Sequence, residues 1–240
     1  MDTYPPQEDR DELSPSAGYA AWASIYDNDG NPLIALEEPV MKGMMGHVAG
    51  LNALDVGCGT GRLSLAMAEA GASVVGVDQS PELMARALGK CVGMRVRFVR
   101  HALPGPLPFA NGTFHLAVMG LVVEHVADLE AVMREVARVV KPGGRCLVSA
   151  LHPDRTASGQ RARFIDPTTG IRRPITTIHR TLEEYRAIAN ASGWIGMAEG
   201  SLIVPPSLLD RYPRASKYLG LKLGWVASWL RTDDSAVTLP

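Results

Sequence analysis

Leu54-Asp55-Val56-Gly57-Cys58-Gly59-Thr60-Gly61, followed seventeen residues later by Asp78, is the stretch that decides the fold. Residues 51–56 form a short apolar run ending at glycine, as a buried parallel strand does. Gly57, Gly59 and Gly61 permit a tight turn and let a ligand lie close to the backbone. Leu63, Ala66, Met67 and Ala70 then recur at helical spacing. Residues 73–77 read as a second buried strand, with Asp78 at its carboxyl end. In an open α/β sheet that edge is where ligands bind.

The glycine spacing narrows the ligand. A dinucleotide fold uses Gly-x-Gly-x-x-Gly, because its pyrophosphate rests on a helix N-terminus. Here the third glycine comes one position early, at Gly61, and Arg62 stands in the dinucleotide position. The Gly-Lys-Ser/Thr ending of a phosphate loop is missing too. What remains is Gly-x-Gly-x-Gly preceded by an acid, Asp55. This resembles motif I of the class I S-adenosylmethionine-dependent methyltransferases, whose cofactor carries no phosphate.

Strands and helices continue to alternate along the chain. Ser80-Pro81-Glu82 opens a helix with a capping serine, a first-turn proline and an acid at the positive end of the dipole. Residues 95–99 and 113–120 read as the third and fourth strands, separated by a proline-rich loop over 103–112. Asp128 caps a helix whose apolar face is Leu129, Val132, Met133, Val136, Val139 and Val140, with Glu130 and Arg134 paired outside. Lys141-Pro142-Gly143-Gly144 ends that helix, and residues 145–151 form the fifth strand. Thr181-Leu182-Glu183-Glu184 is a capping box for a later helix that Gly193 closes. Residues 194–204 and 221–230 are the last strand candidates, a short helix over 218–230 being the competing reading. This alternation predicts a Rossmann-like, doubly wound, mostly parallel sheet. With the resemblance, seven strands are expected, the last antiparallel.

Composition sets outer bounds. The 240 residues suffice for one domain with a substantial core, expected over 17–240 after a flexible acidic tail at 1–16. A net charge of −1 provides no global field for nucleic acid. Cys58, Cys91 and Cys146 are unclustered, which suits a reducing cytoplasm and argues against a zinc or disulfide framework. No apolar run reaches the roughly 20 residues of a membrane span, and no basic-then-apolar leader opens the chain.

Later segments extend the resemblance over roughly residues 19–231: Leu107-Pro108-Phe109 through Phe114, Leu121-Val122-Val123-Glu124-His125-Val126, and Arg138-Val139-Val140-Lys141-Pro142-Gly143-Gly144. Residue by residue, the resemblance implies a cofactor site for S-adenosyl-L-methionine and its product S-adenosyl-L-homocysteine. Gly57, Gly59 and Gly61 let the backbone approach the methionyl part, and Asp55 holds its ammonium directly or through water. Asp78 accepts both ribose hydroxyls. Gln79 and Leu83 pack against adenine, and Ala102 and Leu103 flank its edge. Leu121 falls in the segment after the fourth strand, and Tyr26-Asp27 resembles the helix that closes over the methionyl carboxylate. Two departures stand out. His101 occupies the place of an adenine-binding acid, and His115 that of the aspartate in the family's Phe-Asp.

Transfer from a sulfonium needs neither a metal nor a covalent nucleophile. It needs an acceptor held in line and water kept out. A neutral amine attacks unaided, while a hydroxyl or thiol benefits from a general base. His152, just past the fifth strand, is the leading candidate, with His179 and His125 behind it. Residues 152–179 carry no periodic pattern and hold Arg155, Arg161, Arg163, Arg172 and Arg173, with Arg180 just after. They read as a structureless lid or insertion for an acidic small molecule, or as a solvated loop, or as a phosphate-contacting surface for RNA. The arginines lack interleaved aromatics apart from Phe164, which speaks against base stacking. A helix over 33–48, with Met41, Met44 and Met45, forms the opposite wall or plain core. The expected protein is a monomeric or homodimeric methyltransferase for a specialised or cofactor-pathway small molecule, without nucleic-acid or membrane partners. An RNA or peptide methyltransferase, a silent S-adenosylmethionine-binding module and an aminopropyl transferase are the competing readings, the last having the wrong sign of charge in the lid.

Overall fold

The computed structural model describes residues 12–232. Seven strands form one sheet in the order β3-β2-β1-β4-β5-β9-β8. The strands β1 (Asn52–Val56), β2 (Ser73–Asp78), β3 (Val96–Arg100), β4 (Phe114–Gly120) and β5 (Val140–Leu151) are parallel. β9 (Lys222–Arg231) runs antiparallel between β5 and β8 (Trp194–Ile203). It is the last strand among the described residues and sits inside the sheet, and the competing helix over 218–230 is not formed. A 3₁₀ turn over Pro213–Tyr218 precedes it.

Helices cover both faces, as an all-buried parallel sheet requires. On one face α5 (Leu129–Val139) and α7 (Leu182–Ala191) bury Val132, Met133, Val136 and Tyr185 against Trp225 and Trp229. On the other, α2 (Pro32–Met45) and α3 (Arg62–Glu69) bury Met41, Met45, Leu63 and Met67 against Val74 and Leu116. The caps are formed as expected. Ser80 Oγ accepts the Leu83 N–H at α4 (Pro81–Lys90), Asp128 Oδ1 accepts the Ala131 N–H, and Thr181 and Glu184 cap each other.

The structure corrects three expectations. The helix-ending Lys141–Gly144 stretch lies inside β5, which starts at Val140; a bulge opposite Phe114 and Leu116, with Gly143 at φ 73°, absorbs Pro142. The tail over 1–16 is only partly testable, since 1–11 lie outside the described residues. Residues 12–16 are ordered: the Leu13 N–H donates to Pro174 O, the Thr176 N–H to Leu13 O, and α1 (Pro15–Trp22) begins under a Ser14 cap. Residues 152–179 are not structureless. They form α6 (Pro153–Ala157) and an antiparallel hairpin of β6 (Ala162–Ile165) and β7 (Arg172–Ile175). α1 lies on that hairpin, with Trp22 stacked on Phe164 at 5.4 Å. A Cβ on Gly18 would meet Ile175 at 2.6 Å, so glycine permits this contact. α1 and the hairpin thus make a third layer over the ligand edge.

Candidate active site

The site lies at the carboxyl ends of β1 and β4, where strand order reverses. Gly57 turns the chain at φ 69°, and a Cβ there would come within 2.4 Å of Val122. Gly61 opens α3 at φ 76°, where a Cβ would meet Ala87 of α4 at 2.9 Å. Gly57 therefore shapes the cavity wall, whereas Gly61 lets α3 and α4 close behind it. Asp78 is fixed from both sides: the Gly59 N–H donates to Oδ2 and the Ser80 N–H to Oδ1, each at 2.8 Å. Burial raises its pKa against these two backbone donors.

A cavity of about 350 Å³ opens in front of this carboxylate. Gly57, Gly59, Asp78, Gln79 and Leu83 line one side. Leu103, Leu121, His125, Tyr19 and Tyr26 line the other. Leu121 is, among the described residues, the non-glycine position with positive φ, at 58°. Its N–H bonds to Ser149 O and Oγ, which holds the strained turn at the cavity mouth. The 3₁₀ turn Tyr26–Asn28 is latched onto the glycine turn, with Thr60 Oγ1 donating to Asp27 Oδ1 at 2.6 Å and Lys90 Nζ donating to both Asp27 oxygens. That latch brings Tyr26 over the cavity, and burial pushes its hydroxyl pKa to about 12.

Some expected site residues stand elsewhere. Asp55 is buried beneath the turn and is not among the residues that line this cavity; Ser64 Oγ donates to its Oδ2 at 2.6 Å. Desolvation raises its pKa to about 6 despite that bond and the charge of Arg62. Ala102 is exposed outside the cavity, where His101 lines the wall instead and pairs through Nε2 with Gly105 O. His115 is at the far end of β4, accepting the Asn52 N–H and meeting Lys141 Nζ, which is a structural role.

The order of the three candidate bases changes. His152 is buried and caps α6, its Nδ1 accepting the Asp154 N–H and its Nε2 facing Ser201 Oγ. Burial lowers its pKa, and it lines neither this cavity nor the one described next. His179 is exposed and holds Thr156 Oγ1, again outside both cavities. Only His125 faces the site. Its Nδ1 lies 2.8 Å from Thr176 O, which can only accept, so Nδ1 carries a proton and Nε2 pairs with the Tyr19 hydroxyl at 2.9 Å.

A second cavity of about 230 Å³ shares Tyr19, Tyr26 and Leu121 with the first. Its walls come from α1, α2, the β6–β7 hairpin and the turn Pro213–Tyr218. Sequence reasoning missed its most unusual member, Glu124. This carboxylate is 3 % exposed. Its Oε1 accepts the Leu151 N–H, and its Oε2 has no hydrogen-bond partner among the described residues. The available signal was an acid closing the apolar run Leu121-Val122-Val123 at the ligand edge of the sheet. Arg180, just after the expected lid, is buried and donates to the carbonyls of Val123, Val126 and Ala127, bracing the segment that carries Glu124 and His125.

The residues present fit the expected cofactor. Among the described residues no lysine or arginine lines the first cavity, which disfavours a pyrophosphate, and the acid that lines it, Asp78, shares the lining with Leu83 and Leu103. The comparisons agree. The methyltransferase domain family matches residues 54–148. A demethylmenaquinone methyltransferase of Tropheryma whipplei is 37 % identical over 114 residues, 47 % of this chain and 47 % of that protein, so the match spans about half the relative's length. An uncharacterized methyltransferase of Emericella nidulans is 31 % identical over 199 residues, 67 % of this chain and 69 % of that protein. The crystal structure of an S-adenosylmethionine-dependent methyltransferase from Mesorhizobium loti superposes with a TM-score of 0.70 at 25 % identity, covering 84 % of this chain and all of that one. With the glycine turn, the anchored Asp78 and the strand order all in agreement, the chain belongs to the S-adenosylmethionine-dependent methyltransferases.

Proposed function

We propose that the protein transfers a methyl group from S-adenosylmethionine to a small-molecule acceptor held in the second cavity. The observation that carries this reading is the junction of the two cavities at Tyr19, Tyr26 and Leu121, with Asp78 fixed in the first and Glu124 buried beside the second. Asp78 holds the ribose hydroxyls, with Gly57 and Gly59 along the methionyl part. Gln79, Leu83 and Leu103 enclose adenine, and His101 takes the place of the usual acid. Tyr26 and Leu121 close the site. Asp55, Gly61 and Ala102 act by shaping the turn and its neighbours rather than by lining the pocket.

When bound, the cofactor supplies an activated methyl on a positive sulfur. The protein's own residues orient the acceptor and exclude water. α1 and the hairpin cover the junction, and the latched Asp27 keeps Tyr26 in place. Arginines of the lid are turned to internal partners: Arg161 to Glu12, Arg163 to the Tyr218 hydroxyl, Arg173 toward Asp166. Together with a cavity of about 230 Å³, this favours a small molecule over RNA or a peptide. The relative from Tropheryma whipplei is named a demethylmenaquinone methyltransferase, which supports a cofactor-pathway small molecule as the acceptor class. Calorimetry with S-adenosylmethionine and S-adenosylhomocysteine tests the reading. Binding of both is expected, and no heat with either at millimolar concentration would refute it. Binding without transfer to any member of a metabolite extract would favour the silent module.

A further inference from the structure

We propose that the second cavity selects an acidic, hydroxylated aromatic acceptor, whose carboxylate or phosphate is held by a wall of arginine and lysine while Glu124 takes the proton of its reacting hydroxyl. This rests on the reading that the first cavity holds S-adenosylmethionine.

Charge carries the first part. Arg161, Arg163 and Arg172 from the hairpin meet Arg214 and Lys217 from the Pro213–Tyr218 turn around one space of about 230 Å³. Only Asp29 and Glu124 oppose them among the lining residues. Arg161 is paired with Glu12 and Arg163 reaches the Tyr218 hydroxyl, but with Glu12 counted the five cations still outnumber the three acids around this space, which leaves it locally positive although the whole chain is at −1. Their field registers on Tyr218. Burial alone would push its hydroxyl up, yet Lys217 and Arg163 hold it below the ordinary tyrosine value. Trp22, Tyr26 and Phe164 supply flat walls beside the cations, the surface an aromatic body packs against.

Glu124 carries the second part. A buried carboxylate oxygen without a partner calls for an explanation. Its neighbours are the charge of Glu37 from α2, the hydroxyls of Tyr19, Tyr26 and Tyr185, and the adjacent His125. His125 already bonds Tyr19 and Thr176, which leaves Glu124 Oε2, buried at the wall of the cavity, as the acceptor without a hydrogen-bond partner. An amine acceptor would bring a cation toward the arginine wall; a hydroxyl on an anionic body satisfies both ends. In the step, the hydroxyl proton moves to Glu124 Oε2 as the oxygen lone pair forms the new C–O bond. The C–S bond breaks and its electron pair returns to sulfur. Products are a methyl ether, the neutral thioether and a protonated Glu124, which then releases its proton to water. Burial raises the Glu124 pKa, so transfer should rise with pH through a midpoint above the usual carboxylate range.

The test uses the full chain saturated with S-adenosylhomocysteine. Probes are 4-hydroxybenzoate, 4-hydroxyphenyl phosphate, phenol and 4-hydroxybenzylamine, titrated by calorimetry. At least one acidic probe should bind roughly tenfold or more tighter than phenol, and the amine weakest; the two acidic arms separate carboxylate from phosphate. In the Arg172→Gln, Lys217→Gln double variant, altered at partly or fully exposed positions, that preference should vanish while S-adenosylhomocysteine binds as before. Glu124→Gln should keep acid binding but lower transfer of labelled methyl by about 10²-fold or more and abolish its pH dependence. The proposal is overturned if phenol or the amine binds as tightly as the acids, if none of the probes binds, or if Glu124→Gln transfers at the parent rate. Failure of S-adenosylhomocysteine itself to bind would instead bring down the cofactor reading, and this inference with it.

Discussion

Replacing Asp78 by alanine removes two sets of interactions that can be measured apart. In the free protein Asp78 Oδ2 and Oδ1 accept the Gly59 and Ser80 N–H groups, each at 2.8 Å. Both donors sit at the cavity edge, where water can replace the carboxylate. Their loss should therefore cost the unliganded fold only about 1–2 kcal/mol. The ribose contacts are hydrogen bonds to a charged group and contribute about 1.5–3 kcal/mol. That corresponds to a roughly 10- to 150-fold weaker dissociation constant. Calorimetric titration with S-adenosylhomocysteine reads the second quantity, and urea unfolding without ligand reads the first. The affinity of the parent protein should also fall on acidification, at a higher pH than for an exposed aspartate, because burial raises the Asp78 pKa. An Asp78→Ala variant that loses stability as expected but binds with an unchanged constant would show that Asp78 only anchors the turn. The assignment of the ribose to it would then be wrong.

Gly57→Ala should destabilise the protein by about 2–4 kcal/mol, since it combines a 2.4 Å approach to Val122 with a positive φ; adding Val122→Ala should return only the part due to the clash, and thermal melts giving full recovery would refute the strain argument. Glu37→Gln breaks the 2.6 Å pair between the fully buried Glu37, whose other oxygen is held by Ser149, and the partly exposed Arg62, and should cost about 2–4 kcal/mol in chemical unfolding. An unchanged midpoint would mean that the pair contributes nothing. Burial raises the folded pKa of Asp55 to about 6 from the ordinary 3.8, so its contribution to stability is complete below about pH 4 and is lost as pH rises to about 6. Asp55→Asn, which keeps an oxygen for Ser64, should therefore gain on the parent by up to about 3 kcal/mol across that window; parallel stability–pH curves would exclude it.

The Glu37–Arg62 pair shows why the glycine spacing matters. Because the third glycine comes at Gly61, position 62 carries a long side chain, and Arg62 reaches across α3 to Glu37 on α2. Glu37 Oε1 meanwhile accepts from Ser149 on β5, and Ser149 holds the Leu121 turn. One sequence position thus ties the helix that covers the site to the strand edge beneath it. The same position that excludes a dinucleotide turn builds the closure of this one.

What was legible in the sequence is what short-range chemistry decides. The glycine turn, Asp78 at the end of β2, the caps at Ser80, Asp128 and Thr181, and the apolar stripe of α5 each depend on residues within a turn or two. Their partners are fixed by chain geometry before any tertiary contact forms. The family pattern rides on those same local features. The tertiary structure alone decided the rest, because it depends on competition among distant partners. The placement of β9 between β5 and β8 follows from which strand edge Trp225 and Trp229 can bury against. His152, at the right edge of the sheet by sequence, is a helix cap in the structure, its Nδ1 accepting the Asp154 N–H. Arg180, just after the expected lid, found three carbonyls. The second cavity itself joins residues more than fifty positions apart, Arg163 with Tyr218 among them. No local pattern encodes such a meeting, since the free energy that brings the segments together is the burial of Trp22, Phe164 and Ile175 beneath them.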